Sequence, residues 1–230
     1  MHKDDIVALT SDVRVLVDPE LKLALPAGLE QRVSEIWQEE KAKRGAMLYE
    51  GQIFNSVSVS PSLITGYWMS YRYAMAAYVD PTLGKDMKIL PTAVNGITRC
   101  GGKILIALRS DNVVAYPHHW ELAPSGGVDP AALVGNTIDV RKSILDELIE
   151  ETGILEEDVL SVSLFAAMHN REETTLELCS FIDVSEDIIS RFNPPVVEYV
   201  DFQWLSAEEV HSFGDSHLLL PLTASILKLL

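Results

Sequence analysis

Three glutamates, Glu147, Glu150 and Glu151, stand at i, i+3 and i+4 in the run TIDVRKSILDELIEETGI at 137–154. At about 100° per residue they share roughly a 100° arc of a helix surface. Carboxylates crowded in this way repel one another. In the last turns of a helix they also meet the end of the macrodipole that favours cations, at a cost of about 0.3 kcal/mol or more for each charge. A hard divalent cation offsets that repulsion. Mg²⁺ prefers carboxylate oxygen and shares its shell with substrate phosphates; Mn²⁺ is the alternative ion. The competing reading is a solvated acidic helix end that binds nothing.

The helix that must carry these side chains has a start, a face and an end in the sequence. Asn136 or Thr137 is placed to cap it, and Gly153 stands where helices turn left-handed. Val140, Ile144 and Leu148, with Leu145 and Ile149 beside them, form an apolar stripe to pack on a core. Around it the pattern alternates. Strand-like runs lie at 89–99 and 103–108, joined by the hairpin signal Cys100-Gly101-Gly102, and at 120–128, 160–168, 174–183 and 198–205. A short helix is expected over Ser185–Arg191 with Ser185 as its cap, and an amphipathic helix over about Leu218–Leu230. Upstream, 11–17 and 53–60 read as strands, 29–44 as a helix with Val33, Ile36 and Trp37 on one face, and 63–78 as an aromatic-rich segment. Asp80 to Lys85 reads as a polar connector. These elements divide the chain into an N-terminal α/β extension, 1–88, and a catalytic α/β unit, 89–230.

Net charge narrows the function classes. Eighteen Lys and Arg against 34 Asp and Glu give −16, the wrong sign for broad nucleic-acid binding. Such a surface accepts a small anionic ligand only where a metal or a few arginines stand locally. Two cysteines, Cys100 and Cys179, are expected as reduced thiols in a cytoplasmic protein. The polar start Met1-His2-Lys3-Asp4-Asp5 lacks the apolar run of a signal peptide, and no membrane span is expected. A P-loop, a dinucleotide fingerprint and a Ser-His-Asp arrangement are not recognisable.

DELIEETGI resembles the second half of the Nudix box, R-E-aliphatic-x-E-E-x-G-aliphatic, matching it at Glu147, Leu148, Glu150, Glu151, Gly153 and Ile154. Upstream, WELAPSGGVD is similar to the family's Gly-rich turn before the helix, and VVEYVDFQWLSAEEV to its closing acidic strand, so the likeness runs from Trp120 to Val210. Two box positions depart: Asp146 stands where the family has Arg, and Ile138, beside Asp139, where it has its first Glu. The loop from Gly127 to the helix is also about five residues longer than usual. The N-terminal half, through LYEGQIFNSVSVS and ITGYWMSYR, resembles the divergent UDP-sugar diphosphatase type of Nudix protein.

The resemblance implies an α+β fold, an α/β/α sandwich whose mixed sheet carries the loop-helix-loop. It implies Mg²⁺-dependent cleavage of a nucleoside diphosphate compound, a UDP-sugar giving UMP and sugar 1-phosphate, with Glu147, Glu150 and Glu151 as metal ligands. Its catalytic set is Glu147, Glu151 and Glu198, with the general base left between Glu147 and Glu198. Arg109, Gly126, Gly127 and Arg171 are the candidate substrate-binding residues, Arg109 reading equally as a plain surface charge and Arg171 more readily as a solvated loop charge. Tyr71 and Tyr73 are read either as a stacking surface for a base or as core of the extension. His118 and His119 read as unliganded loop histidines. An ADP-ribose or ADP-sugar pyrophosphatase is the rival with the same chemistry, and a decayed Nudix-fold binding module the rival of another class. A homodimer through 1–88 is the expected partner, if any.

Overall fold

A computed structural model describes residues 5–45, 48–113, 115–171 and 173–229. The start at Met1–Asp4 and the last residue of the expected terminal helix, Leu230, lie outside these. The strands are β1 (Ile6–Ala8), β2 (Arg14–Val17), β3 (Gln52–Val59), β4 (Leu63–Ser70), β5 (Thr92–Cys100), β6 (Lys103–Arg109), β7 (Trp120–Leu122), β8 (Ser125–Gly127), β9 (Leu133–Val134), β10 (Thr137–Ile138), β11 (Val159–Asn170), β12 (Thr175–Val184) and β13 (Tyr199–Ser206). The helices are α1 (Leu29–Arg44), α2 (Tyr71–Val79), α3 (Pro81–Met87), α4 (Val140–Thr152), α5 (Ile188–Arg191), α6 (Ala207–Phe213) and α7 (Pro221–Ile226).

The larger sheet is mixed, in the order β1-β11-β12-β5-β6-β13, with β7 on β6 and β8 on β5. Only β12 and β5 run parallel in it. Its strands alternate sides as the pleat requires. Val94, Leu176, Leu178 and Ile182 point to one face, where Ile144, Leu145 and Leu148 of α4 cover them. Ile97, Ile106 and Cys179 point to the other, under Val210 and Phe213 of α6 and Leu222 and Ile226 of α7. Helices on both faces make this an α+β sandwich. The smaller sheet runs β3-β4-β2-β10-β9.

Pairing crosses residue 88 in both directions. β1, from the first segment, edges the large sheet through Ile6↔Met168 and its neighbours. β10, from the loop before α4, joins β2 of the small sheet. Phe54 and Ile64 share one core with Ile144 and Leu148.

Several local expectations change in the structure. The segment 63–78 splits into β4 and α2 at Ser70, with the buried Tyr67 and Met69 alternating in the strand. Thr137 and Ile138 are strand, so the cap of α4 is Asp139, whose Oδ1 accepts from the Lys142 amide at 3.0 Å. Asp187 rather than Ser185 precedes α5; the Ser185 hydroxyl donates to the Asp158 carbonyl at 3.2 Å instead. The run 120–128 breaks at the cis Ala123–Pro124 bond into β7 and β8. The terminal helix begins at Pro221, a residue with no amide to leave unpaired at a first helical position. The turn 100–102 matches its sequence signal: Gly101 and Gly102 both take positive φ, 55° and 79°, as a tight hairpin requires. Cys100 and Cys179 are both buried and free. Among the described residues no helix is long and apolar enough to cross a membrane.

Candidate active site

α4 is fixed at both ends, by Asp139 and by Gly153, whose φ of 70° lets its amide bond to the Ile149 carbonyl at 3.0 Å. Its apolar stripe lies on the sheet, which turns the glutamates along the edge toward β8 and β13. Here a cleft of about 620 Å³ opens between the two segments of the chain. Glu147 and Glu150 line it, together with Gly126, Gly127, Asp129, Arg109 and Glu198. Tyr49, Gln52, Ile53 and Tyr71 form its outer wall. A groove of about 700 Å³ at the Gly101–Gly102 hairpin is larger but holds none of these glutamates.

Glu147 reaches the Gly126 backbone so closely that a Cβ on residue 126 would lie 2.1 Å from its carboxyl carbon. Glycine is therefore what admits the carboxylate to that place. Burial, and then Glu150, Glu198, Asp129 and Asp146, push the Glu147 carboxyl up to about 7. Glu151 points inward and is 5% exposed. Its Oε2 accepts from the Ser125 amide at 2.9 Å and lies 3.4 Å from the Tyr199 hydroxyl. Burial and the charges of Glu121 and Glu147 hold it well above the usual carboxylate range, against the Ser125 hydrogen bond. Desolvation raises Glu198, Arg109 pulls it down, and Glu150 and Glu121 add to the rise.

Behind these stands a charged strut. Glu121 is buried on β7 and bonds Arg109. The same Oε1 takes the Tyr199 hydroxyl at 2.9 Å. Arg109 also donates from Nε to the Ala115 carbonyl at 3.0 Å, and its side chain is only 14% exposed. Burial would lower its pKa, but Glu121, Tyr199 and Glu151 outweigh that and raise it. Arg109 is thus a fixed cation at the wall of the cleft and no plain surface charge.

Asp146, at the position of the family's Arg, turns outward and pairs with Lys142 one turn back, both about half exposed. Ile138, at the position of the first box Glu, is buried in the core. Neither replacement places a charge in the cleft. Arg171 lines neither the cleft nor the space behind it and pairs with the buried Asp5. That pairing places it in the β11–β12 turn, away from the cleft, as a largely exposed loop charge. Tyr71 lines the cleft, whereas the Tyr73 hydroxyl donates to Glu30 at 3.0 Å beside Arg72. His118 pairs with Asp111 at 2.6 Å, and the His119 ring bonds the Pro117 carbonyl at 3.0 Å.

Among the described residues no group of three or more His, Cys, Asp or Glu side chains is placed to hold a metal ion. Mg²⁺ does not need one, because it keeps several waters and takes one or two carboxylates together with substrate phosphates. The donors offered by Glu147 and Glu150, with Glu151 behind them, are all carboxylate oxygen, and the glycine cradle at Gly126 holds one of them in place. Their mutual repulsion is what a divalent cation relieves. The residues fit a hard divalent ion.

Glu121, Asp129, Tyr49, Gln52 and Tyr199 escape a reading by motif. A signal was present for one of them: Glu121 interrupts an apolar strand, and a charge inside such a run is costly unless a partner waits for it.

No protein-family model matches the chain, and no curated protein matches its sequence. Solved structures do resemble it. A Nudix hydrolase from Nitrosomonas europaea is 17% identical over 60% of this chain and 85% of its own, with a TM-score of 0.40. The Nudix domain of Shewanella oneidensis NrtR complexed with ADP ribose is 15% identical over 60% and 83%, at 0.41. A C. elegans Ap4A hydrolase in a binary complex is 20% identical over 59% and 92%, at 0.39.

Proposed function

We propose that the protein is a Nudix-type hydrolase that uses Mg²⁺ to cleave the diphosphate of a nucleoside diphosphate-linked compound, a UDP-sugar giving UMP and sugar 1-phosphate. One observation carries the reading. Two glutamates of the box-like helix, Glu147 and Glu150, line a cleft of about 620 Å³ whose Gly126 leaves room for Glu147 and whose lining includes Arg109. The UDP-sugar branch rests on the sequence resemblance of the N-terminal half, which supplies Tyr49, Gln52, Ile53 and Tyr71 to that cleft.

Glu147 and Glu150, with Glu151, would hold the ion, which when bound neutralises diphosphate oxygens and lowers the pKa of water. Arg109 faces the same oxygens and stabilises the charge that develops on them. Glu198, which lines the same cleft, accepts the proton of the attacking water; Glu147 is the other candidate for that role. The water oxygen bonds to phosphorus, the bridging P–O bond breaks, and the bridging oxygen leaves with one of the two phosphates.

The test is a hydrolysis panel with Mg²⁺ over UDP-glucose, UDP-galactose, ADP-ribose, ADP-glucose, GDP-mannose and NADH, with Glu151→Gln as control. UMP release from the UDP-sugars, lost in the variant and on chelation, is expected. Turnover of an adenine compound instead would keep the chemistry and discard the branch. Inactivity of both proteins on every compound would leave a binding module.

A further inference from the structure

The outer edge of β11 is covered over only part of its length. β1 pairs with it from Ile6↔Met168 to Ala8↔Ala166. The Leu9 amide then donates to the Phe165 carbonyl at 2.9 Å, and the Thr10 amide turns away to the Pro61 carbonyl at 2.8 Å. Residues 159–164 pair with β12 on one side, and no other described strand lies on their outer side. A strand directs its N–H and C=O groups to both sides, so this stretch presents unpaired backbone donors and acceptors outward.

The run is Val159-Leu160-Ser161-Val162-Ser163-Leu164. Edges of this kind are ordinarily guarded by Lys, by Pro or by an inward charge. None stands here, in a chain whose formal net charge is −16. Leu160 is 70% exposed, and Ser161 and Ser163 are exposed beside it. The other long edges are not open in this way. β3 gives its Phe54 and Ser56 amides to the Val128 and Leu90 carbonyls. β13 carries the exposed Asp201 at its bulge against β6.

Charge and symmetry name the occupant. Two copies of so acidic a chain repel one another over most of their surface, and an uncharged run is where they can meet. A two-fold axis normal to the sheet sets the strand antiparallel to itself, so the same patch serves both copies. With Val162 on the axis, Ser161 faces Ser163 of the second copy and Leu160 faces its Leu164. Hydroxyl pairs and apolar pairs directly opposite one another are the contacts that stabilise antiparallel strands. We propose that residues 159–164 are a self-association edge, at which two copies of this chain join β11 to β11 and continue the large sheet across a two-fold axis. The run is about 20 Å long, a contact at the small end of specific interfaces, so the dimer is reversible with a Kd of about 10 μM.

The experiment is sedimentation equilibrium of the full chain over concentrations that span that Kd, repeated on Leu160→Lys, Ser163→Lys and Val196→Lys. Circular dichroism checks each variant for a native spectrum. Val196 is also 70% exposed but precedes β13, so it controls for the added charge. Every one of these substitutions lowers the net negative charge, so weaker association cannot come from greater overall repulsion. The wild type and Val196→Lys are expected to dimerise alike. Leu160→Lys and Ser163→Lys each set an ammonium into the seam and repeat it across the axis, and should raise Kd about tenfold or more. Amide exchange at 159–164 should slow as the wild-type concentration rises and stay constant in those two variants. A wild type that is monomeric throughout overturns the proposal. A dimer that both edge variants leave intact overturns it too and puts the contact elsewhere, residues 1–88 included. Exchange at 159–164 that ignores concentration in a chain that does dimerise has the same meaning.

Discussion

Glu147 carries the two opposing demands of this molecule. Its carboxyl is pushed from an ordinary 4.5 up to about 7 by burial and by Glu150, Glu198, Asp129 and Asp146. A folded-state pKa above the unfolded one means stability is full below about pH 4.5 and is lost as pH rises toward 7. At pH 8 without metal the loss is on the order of 3 kcal/mol. Glu147→Gln is therefore expected to be more stable than the wild type in urea at pH 8 with chelator, and no more stable at pH 4. Equal midpoints at pH 8 would mean that the crowding costs nothing. Added Mg²⁺ should stabilise the wild type and leave the variant nearly unmoved, since only an ion bound to the folded state shifts the midpoint. Gly126 tests the same carboxylate from the other side. Its φ is not positive, so alanine suits the backbone, and the clash is with the end of a flexible side chain. Gly126→Ala should fold with a loss of about 1 kcal/mol or less and lose about tenfold or more in kcat, because the displaced carboxylate no longer reaches the ion. Unchanged kcat would show that the position of Glu147 is not critical.

At the scale of elements, α4 was legible because its periodicity, its three glutamates and its terminal glycine all lie within one short stretch of sequence. Its cap was misplaced for a non-local reason: Asn136 and Thr137 satisfy the local rule, but Thr137 and Ile138 are held as strand by β2, more than a hundred residues upstream. The Glu121–Arg109–Tyr199 strut was not legible, since β6, β7 and β13 meet only when the sheet forms. The Arg171–Asp5 pair was not legible for the same reason, because Asp5 reaches Arg171 only once β1 adds to the sheet edge. The strut predicts a role for Tyr199 that no motif names. Its hydroxyl lies 2.9 Å from Glu121 and 3.4 Å from Glu151, so it orients the acid behind the cleft without facing substrate. Tyr199→Phe is expected to lower kcat about tenfold with KM little changed, and to cost roughly 1–3 kcal/mol for the lost hydrogen bond to a buried charge. A change confined to KM would place Tyr199 in substrate binding instead.

Across the whole molecule, strands pass over the boundary that composition suggests at residue 88. β1 leaves the first segment for the edge of the large sheet, and β10 leaves the loop before α4 for the small one. Val15, Phe54 and Ile64 pack in one cluster with Ile138, Ile144 and Leu148, so the underside of the glutamate helix is covered in part by the first segment. The outer wall of the cleft, Tyr49, Gln52, Ile53 and Tyr71, comes from that segment as well. A fragment of residues 89–230 would expose this apolar face and leave Thr137 and Ile138 without a partner strand on the β2 side. Each large apolar side chain uncovered removes about 1.5–3 kcal/mol, and three of them approach the roughly 5–15 kcal/mol by which a domain is stable. The fragment is expected to lack cooperative unfolding, to lose its near-ultraviolet dichroism and to bind a hydrophobic dye, the behaviour of a chain that keeps secondary structure without fixed packing. Supplying residues 1–88 in trans should restore part of the transition. Cooperative unfolding of the fragment alone would show that α4 needs no cover from the first segment. Its contribution would then be confined to the wall of the cleft, and the fragment should bind Mg²⁺ while failing to select among nucleotides.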